Sequence, residues 1–202
     1  MGGVCVAPVI AAIFIVIFVF IIAALFTRHG RRGRSARAAA GRYGEEVSAA
    51  VIRSVLRPDD TLLNNVTVSF EGRRAELDNV VVNKYGVFII EAKNYSGRLI
   101  GGEDDFSWRK LHTSRAGKTY VKEVKNPLRQ VKRQVYILSR CLSRRGIRIW
   151  VEGYVYLVEK NSPVRSPYIL SSAAAVDRAI HSPVRTRPDA QSVRSAITLL
   201  GG

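Results

Sequence analysis

Two cysteines, three histidines and one methionine are few for a chain of 202 residues. Cys5 and Cys141 cannot build a disulfide framework, and no Cys-x-x-Cys pair is present to hold zinc. His29, His112 and His181 are scattered without metal-site spacing and read as structural or surface residues. Charge is absent from the first 27 residues, and no acidic residue precedes Glu45. There is no internal repeat, and no low-complexity stretch beyond a short Arg-, Gly- and Ser-containing linker.

The uncharged start is the longest hydrophobic run. Val4–Phe26 is almost wholly apolar. As a helix it would be ~35 Å long, against a hydrocarbon core of ~30 Å. Nothing basic precedes the run, it is too long for a signal-peptide core, and no small-x-small cleavage site follows it, so it reads as an uncleaved transmembrane helix over 4–26. Six arginines, Arg28, Arg31, Arg32, Arg34, Arg37 and Arg42, come before the first acid. Basic residues beside a span stay on the cytoplasmic side. The expected arrangement is a single-pass membrane protein with its domain in the cytoplasm, joined by a flexible linker over 27–40. The linker arginines can also touch acidic lipid head groups.

All 32 Lys and Arg and all 16 Asp and Glu follow Thr27, so the remainder carries the whole formal charge of +16. That balance favours anionic partners, nucleic acid above all. Its length suffices for one domain with a proper core. Gly41–Leu56 shows helical apolar spacing. β-forming runs follow at Thr61–Phe70, Ala75–Asn83, Val87–Tyr95, Arg98–Ile100 and Ser107–Leu111. Asn126-Pro127 opens a helix to about Arg144, Arg148–Val158 is a further strand, and Ala173–His181 and Asp189–Leu199 read as helices. This order predicts an α/β layered domain over 41–160, followed by a helical C-terminal extension over 161–202.

The chemistry concentrates in two of the strands. Glu91 and Lys93 share one strand face, with Ala92 on the other, and Asp78 can sit on the same face of the neighbouring strand. Two carboxylates and an ammonium beside very apolar residues are costly unless paired or used. They can supply oxygen ligands for Mg²⁺ or Mn²⁺, activating a water against a phosphate, with the lysine stabilising developing charge. They can equally be a structural ion pair at the sheet edge; spacing alone leaves both readings open. Between Arg109 and Arg148 there are thirteen Lys or Arg and a single acid, Glu123. Within that run Arg129, Lys132 and Arg133 are the candidate nucleic-acid contacts.

The pieces Gly41-x-x-Gly44-Glu45, Glu76-Leu77-Asp78, Gly86-Val87-Phe88-Ile89-Ile90-Glu91-Ala92-Lys93-Asn94-Tyr95 with Gly97, Trp108, and Asn126-Pro127-Leu128-x-Gln130 occur in one order with sensible gaps. Together they make the run from about Gly41 to Val158 resemble the NERD, or nuclease-related, domain family of the PD-(D/E)xK restriction-endonuclease-like fold. The resemblance implies a mixed central sheet flanked by helices. It further implies Asp78 and Glu91 as metal ligands, Lys93 as the catalytic lysine, Glu45 as an acidic residue assisting the metal site, and Gln130 as a polar residue near it. Leu77 stands where the fold-class motif has proline. The resemblance covers neither the apolar start nor the chain after about Asn161.

The expected protein is therefore a membrane-anchored, Mg²⁺- or Mn²⁺-dependent nuclease acting on DNA rather than RNA, with little sequence preference. The rival expectation is a non-catalytic module that binds nucleic acid or a partner at the membrane.

Overall fold

In a computed structural model, residues 38–114, 117–183 and 187–201 are described. The expected transmembrane helix and most of the expected linker lie outside them. Among the described residues, no helix is long and apolar enough to cross a membrane. The sheet, and the helices packed against it from Tyr43 onward, form one compact unit, Tyr43–Gly202.

Helix α1 covers residues 38–53, so helical structure begins three residues before Gly41. It leads to strands β1 (Thr61–Phe70), β2 (Arg73–Asn83) and β3 (Gly86–Lys93). β4 (Arg98–Ile100), β5 (Ser107–Thr113) and β6 (Thr119–Lys125) follow, then α2 (Pro127–Arg144) and β7 (Val151–Leu157). The chain continues through β8 (Ile169–Leu170), α3 (Ala173–His181) and α4 (Ala190–Gly201). The main sheet runs β1-β2-β3-β7-β8, and β4, β5 and β6 form a second, three-stranded sheet. β1, β2 and β3 pair antiparallel, whereas β7 lies parallel to both β3 and β8. This is the mixed sheet flanked by helices that the sequence led us to expect.

The centre of the sheet is apolar on both faces. Val80–Val82 and Val87–Ile90 are all buried, which gives the near-continuous hydrophobic runs of strands covered from two sides. On one face Val80, Val82, Val87 and Ile89 pack with Ile137 and Leu138 of α2 and with Ala196 and Leu200 of α4. On the other, Val81, Phe88 and Ile90 pack with Ile52 of α1 and with Val176 and Ile180 of α3. A Cβ at Gly153 of β7 would collide with Val131 and Val135, so glycine is what lets α2 lie this close to the sheet.

Two strands were not legible in the sequence. β6 is exposed along almost its whole length, so it has no buried face to impose an apolar–polar alternation. β8 has only two residues.

Candidate active site in a fork between two strands

The site arises where the β2–β3 ladder stops. Pairing runs from Asn83 opposite Gly86 to Asn79 opposite Ile90. Beyond that point β2 stays with β1 out to Arg73, and β3 stays with β7 out to Lys93. The sheet thus opens into a fork, and Asp78 is the first β2 residue inside it. Its Oδ2 accepts the Ala92 N–H at 2.9 Å. A side chain here replaces the missing ladder bond, so a backbone donor that would otherwise be orphaned is satisfied.

Asp78 also lies at a slip in the strand. Leu77 and Val80 are three residues apart, yet both join the core beneath α2, so the two-residue alternation shifts by one between them. Across from this point on β1, Asn65 adopts a left-handed φ of 54°. Asparagine tolerates that conformation better than most residues. On the other side of the sheet, buried Asn79 donates to the Ile90 carbonyl at 3.1 Å and to Ser48 Oγ at 3.4 Å, closing the ladder next to the fork.

β3 delivers the other two groups. Val87 and Ile89 face α2, so Glu91 and Lys93 continue on that face. Glu91 is 2 % exposed. Its Oε1 accepts from Lys93 Nζ and, at 2.5 Å, from Gln130 Nε2. Its Oε2 accepts from Gln134 Nε2 at 2.6 Å, and the same amide nitrogen donates to the Glu76 carbonyl at 2.9 Å. Gln134 therefore spans the fork, tying the β2 backbone to the β3 carboxylate.

The start of α2 explains how these glutamines reach the site. Asn126, 1 % exposed, caps the helix by accepting the Leu128 N–H, and Pro127 occupies the first turn. The Asn126 amide also donates to the carbonyls of Glu103 and Asp105, both at 2.8 Å, which anchors the loop before β5. Gln130 and Gln134 are four apart and so share a helix face.

Electrostatics reflect the burial. Burial, and then the charge of Glu91, push Asp78 from 3.8 up to about 6. The Ala92 N–H and Lys93 oppose this, and Glu45 adds to it. For Lys93, burial works against the charge, but Glu91, through its charge and hydrogen bond, outweighs it, with Tyr95 and Asp78 assisting. The ammonium is held above its ordinary value. Burial also raises Tyr95; Lys93 opposes that shift and Glu91 reinforces it.

Asp78, Glu91, Lys93 and Gln130 are thus brought together. Glu45, on α1, reaches the cluster by its effect on Asp78, with no direct bond to the other four. Gly44 beside it sits so close to the end of β3 that an added Cβ would come 3.0 Å from Asn94 Cβ. The three candidate nucleic-acid contacts are already engaged. The Arg129 guanidinium lies 5.4 Å from the centre of the Phe106 ring, Lys132 Nζ is 3.5 Å from Asp104 Oδ1, and Arg133 donates to the Arg74 carbonyl at 3.0 Å. Gln134 escaped sequence reasoning. Its signal was a polar residue inside the apolar stripe of α2, between Val131 and Leu138.

Among the described residues, no group of three or more His, Cys, Asp or Glu side chains is placed to hold a metal. An all-protein cage is therefore a poor fit. Magnesium-type cations need only one or two carboxylates, together with waters and substrate phosphate. Asp78 and Glu91 meet that requirement: the charge of Glu91 raises the cost of ionising Asp78, which a cation would relieve.

The chain thus combines a mixed α/β sheet with two carboxylates and a lysine on adjoining strands. The model of the nuclease-related domain, NERD, matches residues 40–158, more than half of the chain, and the protein belongs to that family. The PD-(D/E)xK superfamily is the general context of the family. Over 69 residues the chain is 33 % identical to an uncharacterized protein of Bacillus anthracis, an alignment spanning 34 % of this chain and 32 % of that one. No solved structure matches the chain.

Proposed function

We propose that the protein is a divalent-metal-dependent nuclease that hydrolyses phosphodiester bonds, in DNA with little sequence preference, and that its N-terminal segment tethers it to a membrane. The observation that carries the catalytic part is the convergence of Asp78, Glu91 and Lys93 in one fork of the sheet. Family membership supports a nuclease-related role, although fold alone does not fix chemistry.

In this reading Asp78 and Glu91 would hold Mg²⁺ or Mn²⁺, which supplies a Lewis acid and an activated water when bound. Gln130 and Gln134 hold the Glu91 carboxylate in one orientation. Lys93, kept charged by Glu91, cannot serve as a base at neutral pH; its task is to stabilise negative charge developing on the phosphate. Glu45 adds negative potential that favours a cation near Asp78. The uncharged Met1–Thr27 segment and the arginines after it support the tether and a cytoplasmic domain.

One observation favours the non-catalytic alternative. Both Glu91 oxygens already accept hydrogen bonds within the protein, as they would in a purely structural network. Titration calorimetry of the full-length chain with Mn²⁺ separates the two readings. The nuclease reading expects one site that Asp78→Asn and Glu91→Gln both abolish. Absence of any metal binding by the wild-type chain favours the structural network.

A further inference from the structure

The small sheet carries an unusual segregation of charge. Trp108 of β5 and Leu99 of β4 are buried in one apolar cluster, and Val124 of β6 packs against it. That face continues outward along the β5–β6 ribbon, because residues two apart on a strand share a face. Its next positions are Lys110 opposite Lys122, and then His112 opposite Tyr120. Like charges set directly across a ladder repel. Burial, and then Lys122, lower the Lys110 ammonium below its ordinary value.

Among the described residues, neither lysine forms an ion pair. The acid of the ribbon, Glu123, faces the other way, directly opposite Arg109. Tyr120 is 52 % exposed, with Lys118 Nζ 5.5 Å from its ring centre. The face thus gathers three lysines, a histidine and an open aromatic ring, without an acid. The small sheet to which the ribbon belongs begins with β4 at Arg98, five residues after the end of β3 at Lys93.

We propose that this face of the β5–β6 ribbon grips a single strand of nucleic acid, Lys110, Lys118 and Lys122 meeting its phosphates and Tyr120 stacking on a base. The proposal takes its ligand class from the nuclease reading and adds the surface and the strandedness. Cations alternating with an exposed ring are the composition of single-strand binding surfaces, in which stacking tolerates any base. A duplex leaves no open base for Tyr120 to stack on. The repulsion between Lys110 and Lys122 is relieved when a phosphate lies between them. Arg129 and Lys132, engaged with Phe106 and Asp104, are less free to do this.

The test uses the full-length chain in EDTA, where no cleavage intervenes, with a fluorescent single strand of about a dozen nucleotides. Combined replacement Lys110→Ala and Lys122→Ala is expected to flatten the slope of log affinity against log salt by about 1.4, the contribution of two phosphates on a single strand. Tyr120→Ala is expected to weaken binding at least about fivefold, and Tyr120→Phe to restore it. The double lysine variant should melt no lower than wild type, since a like-charge pair is removed. No binding by wild type, or an unchanged slope and affinity in the variants, overturns the proposal. So does loss of binding to phosphatidylserine vesicles in the double variant with oligonucleotide binding intact, which would assign the face to lipid. A wild-type chain that cuts DNA with Mg²⁺ while the ribbon variants bind normally removes the ribbon and leaves the nuclease standing. Ribbon-dependent binding without metal-dependent cleavage does the reverse.

Discussion

Gln134 lies 2.6 Å from Glu91 and donates to it with the same nitrogen that holds the Glu76 carbonyl. One amide from α2 therefore fixes both the orientation of a buried carboxylate and the opening between β2 and β3. Removing it leaves Glu91 Oε2 and the Glu76 carbonyl each short of a donor. Gln134→Ala is expected to cost about 1–3 kcal/mol in denaturant melts. Gln134→Glu, which sets another carboxylate against Glu91, should be more damaging at pH 8 than at pH 5. A neutral effect of both would show that the fork is not held by this contact.

Asp78 makes stability depend on pH in a definite sense. Its carboxyl rises from 3.8 to about 6 in the folded chain, so the folded state holds the proton more tightly than the unfolded one. The associated stabilisation is complete below 3.8 and is lost as pH rises through about 6. Asp78→Asn keeps an acceptor for the Ala92 N–H and removes the charge. In metal-free buffer it should raise stability at pH 8, on the order of 2 kcal/mol, with the gain vanishing towards pH 4. A gain independent of pH would contradict this assignment.

Lys93 competes with any cation for Glu91 Oε1. Lys93→Met should therefore bind Mn²⁺ at least as tightly as wild type, while its cleavage rate falls by about 10²–10³. If metal binding is lost along with activity, Lys93 shapes the site rather than stabilising charge in the reaction.

The N-terminal proposal makes a separate prediction. The full-length chain should stay with membranes after carbonate or high-salt washing, and a reporter fused after Gly202 should behave as cytoplasmic. Release by carbonate would remove the tether without touching the site.

The sheet and most of its helices were legible because apolar periodicity and burial coincide in them. β1 runs Thr61–Phe70, the span its β-forming residues indicated, and α2 begins at the Asn126-Pro127 cap. Glu91 and Lys93 could be assigned a common face by counting, and Asp78 could be placed on the same face of the neighbouring strand. The slip between Leu77 and Val80 gave no such signal, since the β1–β2 register keeps one offset across it, from Asn64 opposite Asn79 to Val66 opposite Leu77, and no residue is inserted. Gln134 was hidden for the opposite reason: it occupies a position in an apolar stripe, and only the fold reveals that a carboxylate lies beneath it. β6 lacks a buried face, so no pattern marked it, and the facing lysines of the ribbon emerged only with the register.

The central claim is that the fork is a catalytic metal centre. Its most direct test is cleavage of a labelled DNA by the full-length chain with Mg²⁺ or Mn²⁺, beside EDTA, Asp78→Asn and Glu91→Gln controls. The account predicts cutting by the wild type with metal, none in EDTA, and none by either variant although both stay folded. Metal-independent cutting, undiminished cutting by both variants, or no cutting by a wild-type chain that binds DNA would contradict it.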